Sequence, residues 1–277
     1  MKTRIITGVV AIALFLPFMI FSGSAAYIVF TELALIISAF EMVGCMHQRS
    51  KLYVLIPAEI YVILSGLATR LSSNFCETFM ILTVLLALWL VGFSMFSKGS
   101  YPLTDALTVL FGVTYVALGF CSIVLVRDLE HGAFLFWLIF IAAWLSDTGA
   151  YFVGVKFGKH KLCPDLSPKK TVEGLLGGVV SCVAMFVIYG LIITLATKDK
   201  VANIFALLLA GVVLSLISVF GDLLASYIKR RYKVKDYGSL LPGHGGLLDR
   251  FDSVIAVSIA MFAFCRLLKF MPLFSIV

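Results

Sequence analysis

Residues 202–252 read ANIFALLLAGVVLSLISVFGDLLASYIKRRYKVKDYGSLLPGHGGLLDRFD. The run over 202–227 exceeds the roughly 20 apolar residues that a helix needs to cross about 30 Å of hydrocarbon. Backbone polar groups in lipid have to be paired within the segment, so the run predicts a membrane helix rather than a strand. The composition then turns. Between Gly221 and Asp252 stand four Asp, six Lys or Arg, one His and five Gly. Ionisable groups at the edge of apolar helices are expensive, and they mark a functional site.

The same pattern extends over the chain. Its 277 residues are 61% hydrophobic and 13% charged, with mean hydropathy +1.08; a soluble domain carries about 25% charged residues. The expected class is all-α, a polytopic transmembrane helix bundle. Nine windows are long enough to span: 5–22, 27–45, 52–69, 77–97, 105–126, 133–153, 174–197, 202–227 and 251–271. Pro57 and Glu59 make the third the weakest. MKTR and the apolar run behind it read as a retained first helix, since more spans follow and a small-residue cleavage site is missing. The six cysteines form no CxxC pair and read as packed small hydrophobes. No linker, low-complexity tract or internal repeat breaks the chain. The simplest reading is one membrane domain over 1–277, with helices of less specific sequence in 1–126 and the catalytic helices and two long loops in 133–271.

Lys and Arg set the orientation. With the N-terminus inside, 16 of the 22 fall in inside segments and 6 outside, which predicts a cytoplasmic N-terminus and puts the long loops 154–173 and 228–250 in the cytoplasm. The formal charge of +7 then reflects basic loops beside anionic lipid rather than a nucleic-acid partner.

This topology brings carboxylates to one depth. Asp147 and Asp222 lie near the cytoplasmic ends of their windows, Glu173 begins another, and Asp249 and Asp252 begin the last. Helical periodicity puts Asp222 with Ser226, and Asp249 with Asp252, on shared faces. Such oxygen ligands suit a hard cation that shares its shell with substrate phosphates, and the surrounding Lys and Arg suit phosphate oxygens. Pro242-Gly243-His244-Gly245-Gly246 offers close backbone approach, and the helix start behind it offers N–H groups to an anion. In 157–174, FGKHKLCPDLSPKKTVEG, residues Gly158, Lys159, Lys161, Lys169, Lys170 and Thr171 suit a triphosphate or a lipid phosphate; without GxxxxGK[ST] it is no P-loop. Phosphoryl or nucleotidyl transfer is the chemistry these parts describe. Each part also has a plain reading: loop cations as topology signals, Asp222 as a packing residue, Asp249 and Asp252 as favourable charges at a helix start, His244 as a turn residue. Glu32, Glu41 and Glu59 read as internally paired or interfacial.

The run Ser226-Tyr-Ile-Lys229-Arg230-x4-Lys235-Asp236-x-Gly238-x2-Leu241-Pro242-x-His244-Gly245-Gly246-Leu247-x-Asp249-Arg250-Phe251-Asp252 resembles the signature of the phosphatidate cytidylyltransferase, or CDP-diacylglycerol synthase, family. Ser146-Asp147-Thr148-x-Ala150-Tyr151, FGKHKL and Ser167-Pro168-Lys169-Lys170-Thr171-x-Glu173-Gly174 resemble its bacterial branch. The resemblance covers the sixth window to the start of the ninth. It implies an integral enzyme of the bacterial inner membrane that makes CDP-diacylglycerol and pyrophosphate from CTP and phosphatidic acid. It further implies Mg²⁺, with a second cation as an option, a homodimer, and a site facing the cytoplasm. On that match Asp222 and Asp249 are the leading metal ligands and Asp147 and Asp252 supporting ones. Lys229, Arg230, Lys235 and His244 meet phosphates. Ser226, Asp236, Gly245, Gly246, Arg250, Lys169, Lys170 and Thr171 complete the substrate-binding set. Two alternatives remain. One is another membrane transferase acting on a nucleotide-activated lipid, although the chain lacks the Asp-Gly dipeptide of the phosphatidyl transferases. The other is an ion-coupled transporter, although the charges gather at one membrane edge and in one half of the chain.

Overall fold

Ser24 shows how an apolar window becomes a helix: its side-chain oxygen accepts the Tyr27 N–H at 3.3 Å, pairing one of the donors that a helix start leaves open. Asn74 does the same for Glu77 at 3.5 Å. The structure is a computed structural model that describes residues 13, 15–197, 200–269 and 271–276. Its helices are α1 Ala25–Cys45, α2 Leu52–Leu71, α3 Phe75–Phe96, α4 Leu103–Arg127, α5 Gly132–Phe157, α6 Val172–Thr197, α7 Ile204–Arg231 and α8 Leu248–Leu267. Short strands β1 Lys161–Cys163 and β2 Ser167–Thr171 pair antiparallel, as do β3 Lys200–Ala202 and β4 Phe274–Ile276.

Eight of the nine expected windows are therefore helices. Of the window 5–22, residues 15–20 are helical, and 5–12 and 14 lie outside the described residues. Helices α1 to α7 are long and apolar enough to cross a membrane. Helix α8 falls short on apolarity, because Asp249, Arg250 and Asp252 sit in its first turns and Arg266 in its last. The bundle is an integral membrane protein.

Two expected loops are shorter than the sequence suggested. Helix α5 runs on to Phe157, and the segment behind it is a β hairpin. Helix α7 runs on to Arg231, so Lys229 and Arg230 stand in its last turn rather than in a loop. Cations are favoured at a helix C-terminus, where carbonyls are unpaired, and long basic side chains carry a helix past the apolar zone while their heads reach water.

The chain forms two compact units, residues 1–124 with 231–251 and residues 125–230 with 252–277. In the first, α4 is deeply buried: Val109, Val113, Val116, Ala117 and Phe120 are buried at helical spacing. Helix α3 is its opposite, with Leu85, Leu88 and Trp89 exposed on an apolar face that lipid tails accommodate. In the second unit α5 and α6 pack closely through small residues. A Cβ on Gly178 would run into the Ser146 carbonyl oxygen, and one on Gly177 into the Val153 side chain.

The early glutamates divide. Glu41 is paired, as described below. Glu32 Oε1 and both Glu59 oxygens are buried without a hydrogen-bond partner among the described residues, so the expected internal pairing does not extend to them.

Candidate active site

In the second unit the site begins with hydroxyls. Ser146 on α5 donates to the Ser215 carbonyl of α7 at 3.4 Å, and Ser218 on α7 donates to the Ala143 carbonyl of α5 at 3.5 Å. Both serines are fully buried, and in hydrocarbon such interhelical bonds join helices. They fix the two helices beside Asp147 and one turn before Asp222. Gly221, next to Asp222, lets α7 lie against Ala256 and the Asp252 backbone of α8.

Three carboxylates are thereby brought together. Asp147 has Lys170 and Asp222 as electrostatic neighbours, and Asp252 has Asp222, Lys229 and Asp147. Lys170 forms an ion pair with Asp222. Lys229 is buried, while Arg230 is exposed and Ser226 half-buried on the same helix.

The hairpin delivers the lysines. Glu173 accepts the Lys159 and His160 N–H groups at 3.0 and 3.2 Å on one oxygen and meets His160 Nδ1 at 2.6 Å with the other. Thr171 caps α6, its hydroxyl oxygen accepting the Gly174 N–H at 3.1 Å. Between hairpin, α5 and α6 lies a cavity of about 430 Å³, lined among others by Asp147, Tyr151, Lys161, Lys169, Lys170 and Thr171. It combines three ammonium groups, one carboxylate and an apolar wall. Glu173 is not part of that lining; it anchors the hairpin instead of joining the carboxylates.

In the first unit the loop 232–247 is organised by acids. Leu241 and His244 close a tight turn through Leu241 N–H to Gly245 O at 2.9 Å and His244 N–H to Leu241 O at 2.8 Å. Gly243 and Gly245 take φ of 79° and 86°, the left-handed region that glycine adopts without strain. Buried Asp249 accepts the Tyr237 N–H at 2.8 Å and the Gly246 N–H at 2.9 Å, both on Oδ2. Glu41, from α1, accepts Leu247 N–H at 3.0 Å and Leu248 N–H at 2.8 Å. The helix start that the sequence offered to a substrate anion is thus filled by the protein's own carboxylates. Lys235, Asp236 and Arg250 are exposed, and Gly246 is buried. His244 Nδ1 is buried without a hydrogen-bond partner among the described residues.

Among the described residues no three His, Cys, Asp or Glu side chains form a ready metal shell. The donor set nonetheless fits Mg²⁺, which is held by one or two carboxylates plus substrate phosphates; the Lys170 ammonium against Asp222 marks where positive charge is favoured. Glu41 is internally paired, one of the two readings the sequence left open, but its partners at the start of α8 were not foreseen. The available signal was its place near the end of its window that the charge count puts inside, at the depth of the polar loop.

Residues 2–268 match the family described as Cytidylyltransferase family. The chain is similar to the phosphatidate cytidylyltransferase of Staphylococcus haemolyticus, 33% identical over 267 residues that cover 93% of this chain and 96% of that protein. It is similar to the phosphatidate cytidylyltransferases of Staphylococcus epidermidis, 33% identical over 261 residues, and Staphylococcus aureus, 32% identical over 263, each with the same 93% and 96% coverage.

Proposed function

Because the chain belongs to the cytidylyltransferase family, we propose that it is the membrane enzyme that joins CTP to phosphatidic acid, giving CDP-diacylglycerol and pyrophosphate. The observation that carries the reading is the lysine-lined cavity beside Asp147, with Lys170 paired to Asp222. A cavity lined by apolar side chains and ammonium groups suits a lipid phosphate. The attacking group is the phosphatidate phosphate oxygen. A phosphate monoester has a second pKa near 6, so at pH 7 that oxygen is already largely deprotonated and needs no general base. It forms a bond to the α-phosphorus of CTP; the bond from that phosphorus to the bridging oxygen breaks, and its electron pair leaves with pyrophosphate.

The protein's work is positioning and charge neutralisation. Lys161, Lys169 and Lys170 hold phosphate oxygens of the lipid. Lys229, Arg230, Lys235 and His244 meet the phosphates of CTP, with Ser226, Asp236, Gly245, Gly246, Arg250 and Thr171 completing the substrate contacts. Asp222, Asp147, Asp252 and Asp249 are the carboxylates for Mg²⁺ or a second cation, which when bound offsets phosphate charge. The protein acts as a homodimer of the plasma membrane with this site toward the cytoplasm, as the resemblance implies and the excess of Lys and Arg in that compartment supports.

The test uses purified full-length protein, CTP labelled at the α-phosphate and phosphatidic acid in detergent micelles. Label extracted into chloroform, with stoichiometric pyrophosphate, is the expected result; label that stays in water sinks the reading. EDTA should stop the transfer and added Mg²⁺ restore it, whereas turnover indifferent to chelation removes the cation from the scheme.

A further inference from the structure

Glu41 is separated by 206 residues from Leu247, the nearer in sequence of its two hydrogen-bond partners. Its side chain is 4% exposed, and each carboxylate oxygen takes one N–H at the start of α8. Two glycines of the same loop depend on it. A Cβ on Gly238 or on Gly246 would collide with the Glu41 carboxylate, and in both cases the three nearest atoms belong to Glu41. The Gly246 N–H, in turn, is one of the two that hold Asp249 Oδ2. Glu41, Gly246 and Asp249 therefore form one connected piece: a carboxylate from α1, the backbone it grips, and the carboxylate that backbone orients. A carboxylate at a helix start is favoured by the unpaired N–H groups and the helix dipole. Nothing local to the loop supplies this acceptor.

We propose that Glu41 is a positioning residue for the transferase reaction, acting at a distance in sequence through the start of α8 to set Asp249 and the 236–247 loop. The inference rests on the functional reading above, in that Asp249 is one of the reaction's carboxylates. Gly238 and Gly246 are then small because Glu41 needs the room.

The experiment compares wild type, Glu41→Ala, Glu41→Gln, Gly246→Ala and the double variant Glu41→Ala/Gly246→Ala, each as purified full chain. It measures kcat, KM for CTP, and the rate at which trypsin cuts after Lys233 and Lys235. A displacement of about 1 Å at a reacting group lowers turnover by about 100-fold. Glu41→Ala should show a kcat loss of that order, with KM for CTP moving far less and tryptic cleavage of the loop accelerating. Glu41→Gln, which keeps one carbonyl oxygen as acceptor, should recover part of the loss. Gly246→Ala should reproduce Glu41→Ala by displacing the carboxylate, and the double variant should be no worse than either single one. Wild-type kcat in Glu41→Ala, or losses that multiply in the double variant, would overturn the proposal. If Glu41→Ala does not fold, Glu41→Gln and Gly246→Ala decide it by loop cleavage and kcat. Failure of the wild type to make CDP-diacylglycerol would reject the functional reading instead, and the cleavage rates would still test whether Glu41 holds the loop.

Discussion

Asp249 combines two demands in one side chain. It is nearly buried, at 6% exposure, and its Oδ2 takes two backbone N–H groups from either side of the glycine turn. A carboxylate in that position organises the loop and brings a negative charge to it. Asn offers a carbonyl oxygen of the same shape to the same two donors but no charge. Asp249→Asn should therefore keep the loop as resistant to trypsin as wild type, yet lose turnover by about 10²–10³-fold, the range for removal of one preorganised electrostatic group. Turnover near wild type in the purified variant would show that the charge is not used. Asp222 and Asp249 stood out in the sequence as candidates because ionisable groups at the edges of apolar helices are expensive. The partners of Glu41 were not legible, because they are backbone groups more than two hundred positions away, and no local spacing encodes them. The N–H groups at the start of α8 read as available to an anion for the same reason, since the acceptor that takes them comes from α1.

At the scale of elements, hydropathy located the helices to within a few residues, since about 20 apolar residues have one stable conformation in lipid. It could not locate the hairpin over 161–171. That segment is short and polar, and what folds it is Glu173 reaching back to Lys159 and His160, a side-chain contact across 13 or 14 positions. Nor does hydropathy reveal how α5 meets α6. Their contact is made by Gly174, Gly177 and Gly178 facing Ser146, Ala150 and Val153, a seam in which small side chains replace the missing hydrophobic drive between helices in lipid. The proposed site depends on that seam, because α5 carries Asp147 and α6 continues from the lysine hairpin. Gly178→Leu would force a side chain into the Ser146 carbonyl, and backbone cannot yield as a flexible side chain can. Overpacking of this kind costs about 1–3 kcal/mol. The purified variant should melt several degrees lower and lose phosphatidate-dependent transfer in parallel. Leu176→Ala, on the exposed face of the same helix at 61% exposure, should leave the melting temperature unchanged; equal effects from both substitutions would argue against the seam.

For the whole molecule the decisive property is which loops share a side of the membrane. In the proposed topology α1 to α7 each cross the membrane, and alternation of the connections then assigns the turn 46–51, the loop 97–102, the hairpin 158–171 and the loop 232–247 to one side. The same alternation assigns 72–74, 128–131 and 200–203 to the other. The side with the hairpin and the glycine loop holds most of the Lys and Arg, and the excess of basic residues supports the proposal that it faces the cytoplasm. A water-soluble nucleotide made inside the cell can be used only if those two loops face it, so the reaction and the charge count make the same demand. Cysteine labelling separates the two orientations. In a variant whose six native cysteines are replaced, Asp165→Cys and Ser239→Cys report the hairpin and the glycine loop, and Ser73→Cys and Glu130→Cys report the opposite turns; the six are Cys45, Cys76, Cys121, Cys163, Cys182 and Cys265. A membrane-impermeant maleimide added to intact spheroplasts should label positions 73 and 130 and reach 165 and 239 only after permeabilisation. The reverse pattern would put the lysine cavity outside the cell, away from CTP, and would overturn both the orientation and the cytoplasmic site. Labelling of 165 and 239 on opposite sides would instead mean that one of α6 and α7 fails to cross.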